Sequence, residues 1–265
     1  QAVSNANESA YSHAAIFTGQ MASEVAAPIY REYGLPPSAT LVSELLSDAG
    51  YQTAAFIAGG HVSEDFGFNQ GYDLFESELG FASFWHTTPK ALAWVKETSE
   101  DQPWMMVLHG YDAHRPYVAP PPFFHMYAQN PGSPTIERIV QDGAASEQVF
   151  GRTWYPDFDL EWFRHSSGSL VLNPDSYGAL AENSQGRPGI SLKDQDIEHL
   201  HAHYDAMLSY ADYQLGLFFA ALEQAGKLDN TLVLITSDHG EDLLDHGFIN
   251  PRTSLHESTV HVPLF

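Results

Sequence analysis

Asp238 and His239 stand side by side in the sequence, and together they have the donors that a divalent metal takes. A carboxylate oxygen beside an imidazole nitrogen leaves Zn, Mn, Mg or Ca open as the ion. The competing reading is a loop in which Asp238 caps a following helix and His239 is solvated. A second histidine group, His199, His201 and His203, lies in a helical stretch. At helical spacing His199 and His203 share a face and His201 does not. No third ligand is recognisable beside them, so the group reads as structural. The rings Trp154, Tyr155, Phe158, Trp162 and Phe163 read as packing for an irregular segment, with an acceptor or sugar site as the alternative.

The element that must position Asp238 and His239 is the apolar run TLVLIT at 231–236. It reads as a central parallel strand, and open α/β sheets bind ligands just past the carboxyl ends of their strands. Before it comes the longest periodic segment, a helix over 194–225 stopped by Gly226. Helices are also predicted over 9–19, 39–49 and 91–98. The second of these has the apolar stripe Leu41, Val42, Leu45, Leu46 and Ala49. Strands are predicted over 51–58 and 104–108, and this alternation predicts a mostly parallel sheet covered on both faces. Residues 116–191 lose all sustained period and read as a long irregular insertion, with short helices around 137–140 and 160–164.

Composition narrows the chemistry. The 34 acidic and 11 basic residues among 265 leave a formal charge of −23. That field has the wrong sign for phosphate backbones, so no nucleic-acid partner is expected, and an anionic substrate would need a local cation to draw it in. The charge suits a saline or extracytoplasmic setting, periplasmic or secreted. Cysteine is absent, which excludes disulfides, zinc-thiolate sites and thiol nucleophiles. Apolar runs such as 215–222 fall far short of the ~20 residues of a membrane helix, so no membrane segment is expected.

Five segments, in order, resemble the sulfatase family of the alkaline phosphatase-like superfamily. They are SAYSHAAIFTG at 9–19, HGYDAHRPYVAPPPF at 109–123, HYDAMLSYADYQLG at 203–216, SDHGEDLLDHG at 237–247 and LHESTVHVPL at 255–264. The resemblance covers most of the chain. It implies a three-layer α/β/α sandwich and a hydrolase of small-molecule or carbohydrate sulfate esters. It also implies one divalent metal, Ca in a sulfatase and Mn, Mg or Zn in a phosphotransferase. Asp238 and His239 become metal ligands, and Ser9 takes the nucleophile position at a helix N-terminus. There the helix dipole and the metal would stabilise an alkoxide. Local sequence alone reads Ser9 as an N-cap. Ser12, one turn further on, is its competitor. His13 would orient the hydroxyl or the transferred group, and His114 matches the substrate-binding histidine. His246, Arg252 and His256 are further candidates for contact with the transferred anion.

The sequence also departs from that pattern. The formylglycine signature is Cys/Ser-x-Pro/Ala-x-Arg, whereas Tyr11 and His13 occupy its third and fifth positions here. An unmodified Ser9 would form a stable ester that water must attack separately, which suits a phosphatase or phosphotransferase. A non-catalytic anion- or partner-binding relative is the third reading. The acidic strand expected upstream of Ser9 and the smaller subdomain expected after Phe265 are not in the 265 residues, so a longer parent protein is expected at both ends.

Overall fold

The sheet grows around residues 52–57, whose alternating side chains are buried on both faces. A computed structural model describes residues 2–25, 34–99, 101–128, 132–133, 136–137, 140, 194–243, 245 and 255–265. In it β2 (Gln52–Ile57) lies between β3 (Leu74–Ser77) and β4 (Trp104–Leu108), parallel to both. Ala54 is opposite Leu74 on one side and Met106 on the other. Because strand side chains alternate, β2 feeds two cores. Ala55 and Ile57 pack with Ala10, Ala14 and Phe17 of α1 (Ser9–Thr18) and with Leu41. Ala54 and Phe56 pack with Ala91 and Val95 of α4 (Phe84–Glu97), and with Phe218 and Leu222 of the long helix α5 (Asp194–Gln224). Helices on both faces of a parallel sheet are the expected α/β/α layering. A short antiparallel pair joins β1 (Ala2–Val3) to β5 (His261–Val262).

The remaining helices are α2 (Ala22–Val25), α3 (Val42–Asp48) and α6 (Glu257–Val260). The helix predicted over 39–49 is shorter because Leu41 takes the N-cap position, its N–H donating to Glu44 Oε2 at 2.8 Å. Leu45 of its predicted stripe is 59% exposed, so that face is only partly used. The helix predicted over 91–98 begins earlier. Ser83 caps it by accepting from the Trp85 N–H at 3.0 Å, and the helix continues through Pro89.

The central strand expected at 231–236 is not formed. Its residues make one antiparallel bridge, Thr236 to Leu264, with Ile235 and Phe265 exchanging backbone hydrogen bonds at 3.0 and 3.1 Å. Leu232 and Leu234 are 85% and 71% exposed. An apolar run becomes a buried strand only when neighbours flank it, and here it meets only the last residues of the chain.

The chain forms two compact units. One comprises Gln1–Gly110, Gly216–Glu241 and Arg252–Phe265, the other Tyr111–Leu215 and Asp242–Pro251. In the second unit, Tyr117 packs edge-on against Tyr204, and Phe123 against Tyr210, so the segment after β4 lies along α5. Residues 136, 137 and 140 are helical, as expected near 137–140. The short helix predicted at 160–164, the ring cluster from Trp154 to Phe163 and most of the insertion lie outside the described residues. No helix of the described residues is long and apolar enough to cross a membrane.

Candidate active site

Helix α1 starts at Ser9 because Glu8, in extended backbone, takes the N-cap position. The Ser9 hydroxyl is therefore not a cap. It faces the Asp238 carboxylate, whose ionised form it favours, and its Oγ is 3.5 Å from His239 Nε2. Two segments 230 positions apart thus converge within the first unit. Ser12, the competitor, turns elsewhere: its buried hydroxyl donates to Ala6 O at 2.9 Å and lies 3.1 Å from Ser4 Oγ.

The corner opposite Ser9 is held from several directions. Asp238 Oδ1 accepts from the His239 N–H at 2.9 Å, and the Asp238 carbonyl accepts from the Ser4 hydroxyl. Residues 239–243, directly after Asp238, are not helical, so it caps no helix there. His239 Nδ1 is 2.7 Å from Gly240 O, an acceptor only, so Nδ1 is the protonated nitrogen. In the neutral ring that leaves the Nε2 lone pair facing Asp238 Oδ2 at 3.6 Å.

His13 sits beside the same carboxylate. Its Nδ1 donates to Ser9 O at 2.8 Å and is 3.7 Å from Asp238 Oδ2. The ring therefore braces the first turn of α1 as well as the acid. Burial acts to raise the Asp238 carboxyl pKa, but the charges of His239 and His13, the Ser9 hydroxyl and His109 outweigh it. The group is held well below the usual carboxylate range. His109, the residue after β4, stacks edge-on with His13 at 5.1 Å between ring centroids. Sequence reasoning did not single it out; its position at the carboxyl end of a buried strand was the available signal.

These residues fit a cation. A partly buried carboxylate held ionised, an imidazole and a hydroxyl meet here, with Ser9 Oγ 3.5 Å and Asp238 Oδ2 3.6 Å from His239 Nε2. Ligands about 2.1 Å from a tetrahedral ion lie about 3.4 Å from one another. Asp238, His239 and Ser9 would hold the ion.

The other predicted residues are placed differently. His114 lies in the second unit, where its Nδ1 donates to Arg115 O at 2.6 Å and its ring meets Tyr111 edge-on. His256 is exposed at the N-cap of α6, its carbonyl accepting from the Thr259 and Val260 N–H groups. His246 and Arg252 lie outside the described residues.

The histidine pair on α5 has a carboxylate beside it. Glu137, His199 and His203 present three potential ligand atoms within 4.8 Å of one another, the one such group of three His or carboxylate residues among the described residues. Glu137 is a third candidate that spacing along the helix could not show. Burial pushes the His203 imidazole down to about 3, and the charges of His199 and His125 add to that effect.

Comparison with known proteins agrees with this architecture. Arylsulfatase K of Mus musculus is 24% identical over 260 residues, covering 87% of this chain and 42% of the mouse protein. The multifunctional alkaline phosphatase superfamily protein PehA of Trinickia caryophylli is 27% identical over 177 residues, covering 67% of this chain and 30% of that protein. The chain thus spans less than half the length of these relatives. Among solved structures, one in complex with its substrate D-glucosamine-2-N,6-O-disulfate superposes with a TM-score of 0.70 at 18% identity, over 100% of this chain and 62% of that one. The phosphonate monoester hydrolase of Agrobacterium radiobacter superposes with a TM-score of 0.63 at 17% identity, over 99% of this chain and 59% of that one. The sulfatase family model matches residues 1–265 from end to end, and the chain belongs to the sulfatase family.

Proposed function

We propose that this chain is the catalytic part of a metal-dependent sulfatase in which the Ser9 oxygen attacks the sulfur of a sulfate ester. The observation behind the reading is the convergence of the Ser9 hydroxyl, the Asp238 carboxylate and Nε2 of His239. A divalent ion bound there supplies Lewis-acid stabilisation of the charge that develops on the transferred group. Calcium suits a hard sulfate site if further oxygens complete it. Ser9, at the positive end of α1, presents its oxygen for in-line attack. The S–O bond to the alcohol breaks, the alcohol oxygen leaves, and the sulfuryl group is carried on Ser9 until water releases it. Asp238 orients the hydroxyl, and His13 and His109 support the carboxylate from behind. Sulfated carbohydrates are the proposed substrate class, since the solved relative above binds a disulfated glucosamine. The acidic surface fits a periplasmic or secreted enzyme.

A phosphatase or phosphonate hydrolase on the same scaffold is the second reading. Tyr11 and His13 in place of the signature residues favour it, because an unmodified serine is better suited to phosphoryl transfer. Turnover of matched aryl sulfate and aryl phosphate monoesters by the metal-loaded protein decides between them. The sulfatase reading expects kcat/KM to be higher for the sulfate, with both activities lost on chelation. A preference for phosphate supports the second reading, and no turnover of either supports a non-catalytic relative.

A further inference from the structure

The triangle of Glu137, His199 and His203 is a polar arrangement that hydrogen atoms satisfy only in part. His199 Nε2 lies 3.0 Å from His203 Nε2 and 3.1 Å from Glu137 Oε1. A neutral imidazole nitrogen carries either a hydrogen or a lone pair. If His199 Nε2 carries the hydrogen, two acceptors compete for it. If it is bare, its lone pair faces a carboxylate oxygen with nothing between them. A second charged imidazole would bring two N–H groups head to head. A single hydrogen on His199 Nε2 can at best be shared between the two contacts, so they cannot both be full hydrogen bonds although both histidines are buried. A cation accepts electron pairs from all three atoms at once.

The surroundings are built to hold these atoms. The Gly132 N–H donates to Glu137 Oε1 at 3.0 Å, fixing the carboxylate. The Ser133 N–H donates to Asp196 Oδ1 at 3.0 Å, tying the same segment to the first turn of α5. A Cβ at position 132 would lie 2.8 Å from His199 Cδ2, so the backbone presses directly on the ligand ring. Phe124 packs on the His203 ring at 4.5 Å between centroids, closing the apolar side. Glu137 keeps 30% of its side chain exposed, the side from which an ion and a water ligand would enter.

We propose that Glu137, His199 and His203 form a zinc site, with water as the fourth ligand, that fastens Glu137 onto α5. The two nitrogens and one carboxylate suit Zn²⁺ and offer too few oxygens for Ca²⁺. This site shares no residue with the Asp238 corner and does not depend on the sulfatase reading.

The experiment uses the full chain carrying Asp238→Ala and His239→Ala, which removes the other candidate ligands. After chelation and dialysis against zinc, bound metal is measured by mass spectrometry, and Co²⁺ loading is followed by visible absorption. One zinc per chain, a tetrahedral Co²⁺ spectrum and a zinc-dependent rise in Tm are expected. Adding His199→Ala should abolish all three. Glu137→Gln, a half-exposed and nearly isosteric change that leaves the fold intact, should weaken the zinc Kd by at least about tenfold. Equal zinc content and affinity in Glu137→Gln and its parent would overturn the proposal. So would the absence of zinc from the parent while circular dichroism shows it folded.

Discussion

A serine hydroxyl is a weak nucleophile until its alkoxide is stabilised, and under the proposed function Ser9 draws that stabilisation from two sources. These are the dipole of α1 and the cation that Asp238 and His239 would hold, while the Asp238 carboxylate orients the hydroxyl. Ser9→Ala is expected to lower kcat on a sulfate ester by at least about 10³-fold with little change in KM. Steady-state kinetics on the folded variant checks this, and an unchanged kcat would remove Ser9 from the mechanism. His109 meets His13 and acts on the charge of Asp238, so it is a positioning residue. His109→Asn keeps an acceptor for the Ala58 N–H, which bonds to His109 Nδ1 at 3.4 Å, and should weaken the affinity of the catalytic metal by about tenfold with little change in Tm. A Tm that falls while metal affinity holds would make its role purely structural. Ser9 and the Asp238-His239 pair were legible in the sequence because their neighbours keep a recognisable order. His109 and Glu137 were not. Their contributions come from contacts across the fold, and Glu137 lies 62 positions before His199 in a stretch without period.

The elements that hold the site make their own predictions. Gly59 ends β2 at φ +88°, and a Cβ there would collide with the carbonyl oxygens of Glu78 and Gly80. Gly19 ends α1 at φ +67° with open space around it. Gly19→Ala should therefore cost only the left-handed penalty of about 1 kcal/mol, and Gly59→Ala clearly more. Thermal or denaturant unfolding checks the order, and equal losses would contradict it. In α4, burial lowers the His86 imidazole below its ordinary pKa despite the opposing charge of Glu78. The folded state then resists protonation that the unfolded chain accepts. Its contribution is complete above the unfolded value of 6.5 and is lost as pH falls below it. His86→Gln should flatten the fall in Tm below that pH; an identical profile would contradict this. The ends of α1, β2 and α5 could be read from caps, glycines and period. The start of α4 could not, because Thr87-Thr88-Pro89 resembles a break while the Ser83 cap comes before it. The run at 231–236 misled for a different reason: hydrophobicity records that a strand can be buried, not that flanking strands are present.

At the scale of the whole molecule, a charge of −23 is a source of self-repulsion and a barrier to anions. Raising the salt concentration should raise Tm and lower KM for a sulfate ester, because added ions screen both repulsions. A KM that rises with salt would show that local attraction at the site dominates instead. The family pattern made the α/β/α fold legible across the chain, and the helices on both faces of β2 carry it physically. The central claim is that residues from the two distant segments act as a single catalytic unit. A double-mutant cycle on kcat/KM with Ser9→Ala and His239→Ala tests it most directly. The account predicts strong non-additivity, with the double variant scarcely slower than the slower single variant. Losses that multiply, each residue contributing independently of the other, would contradict it.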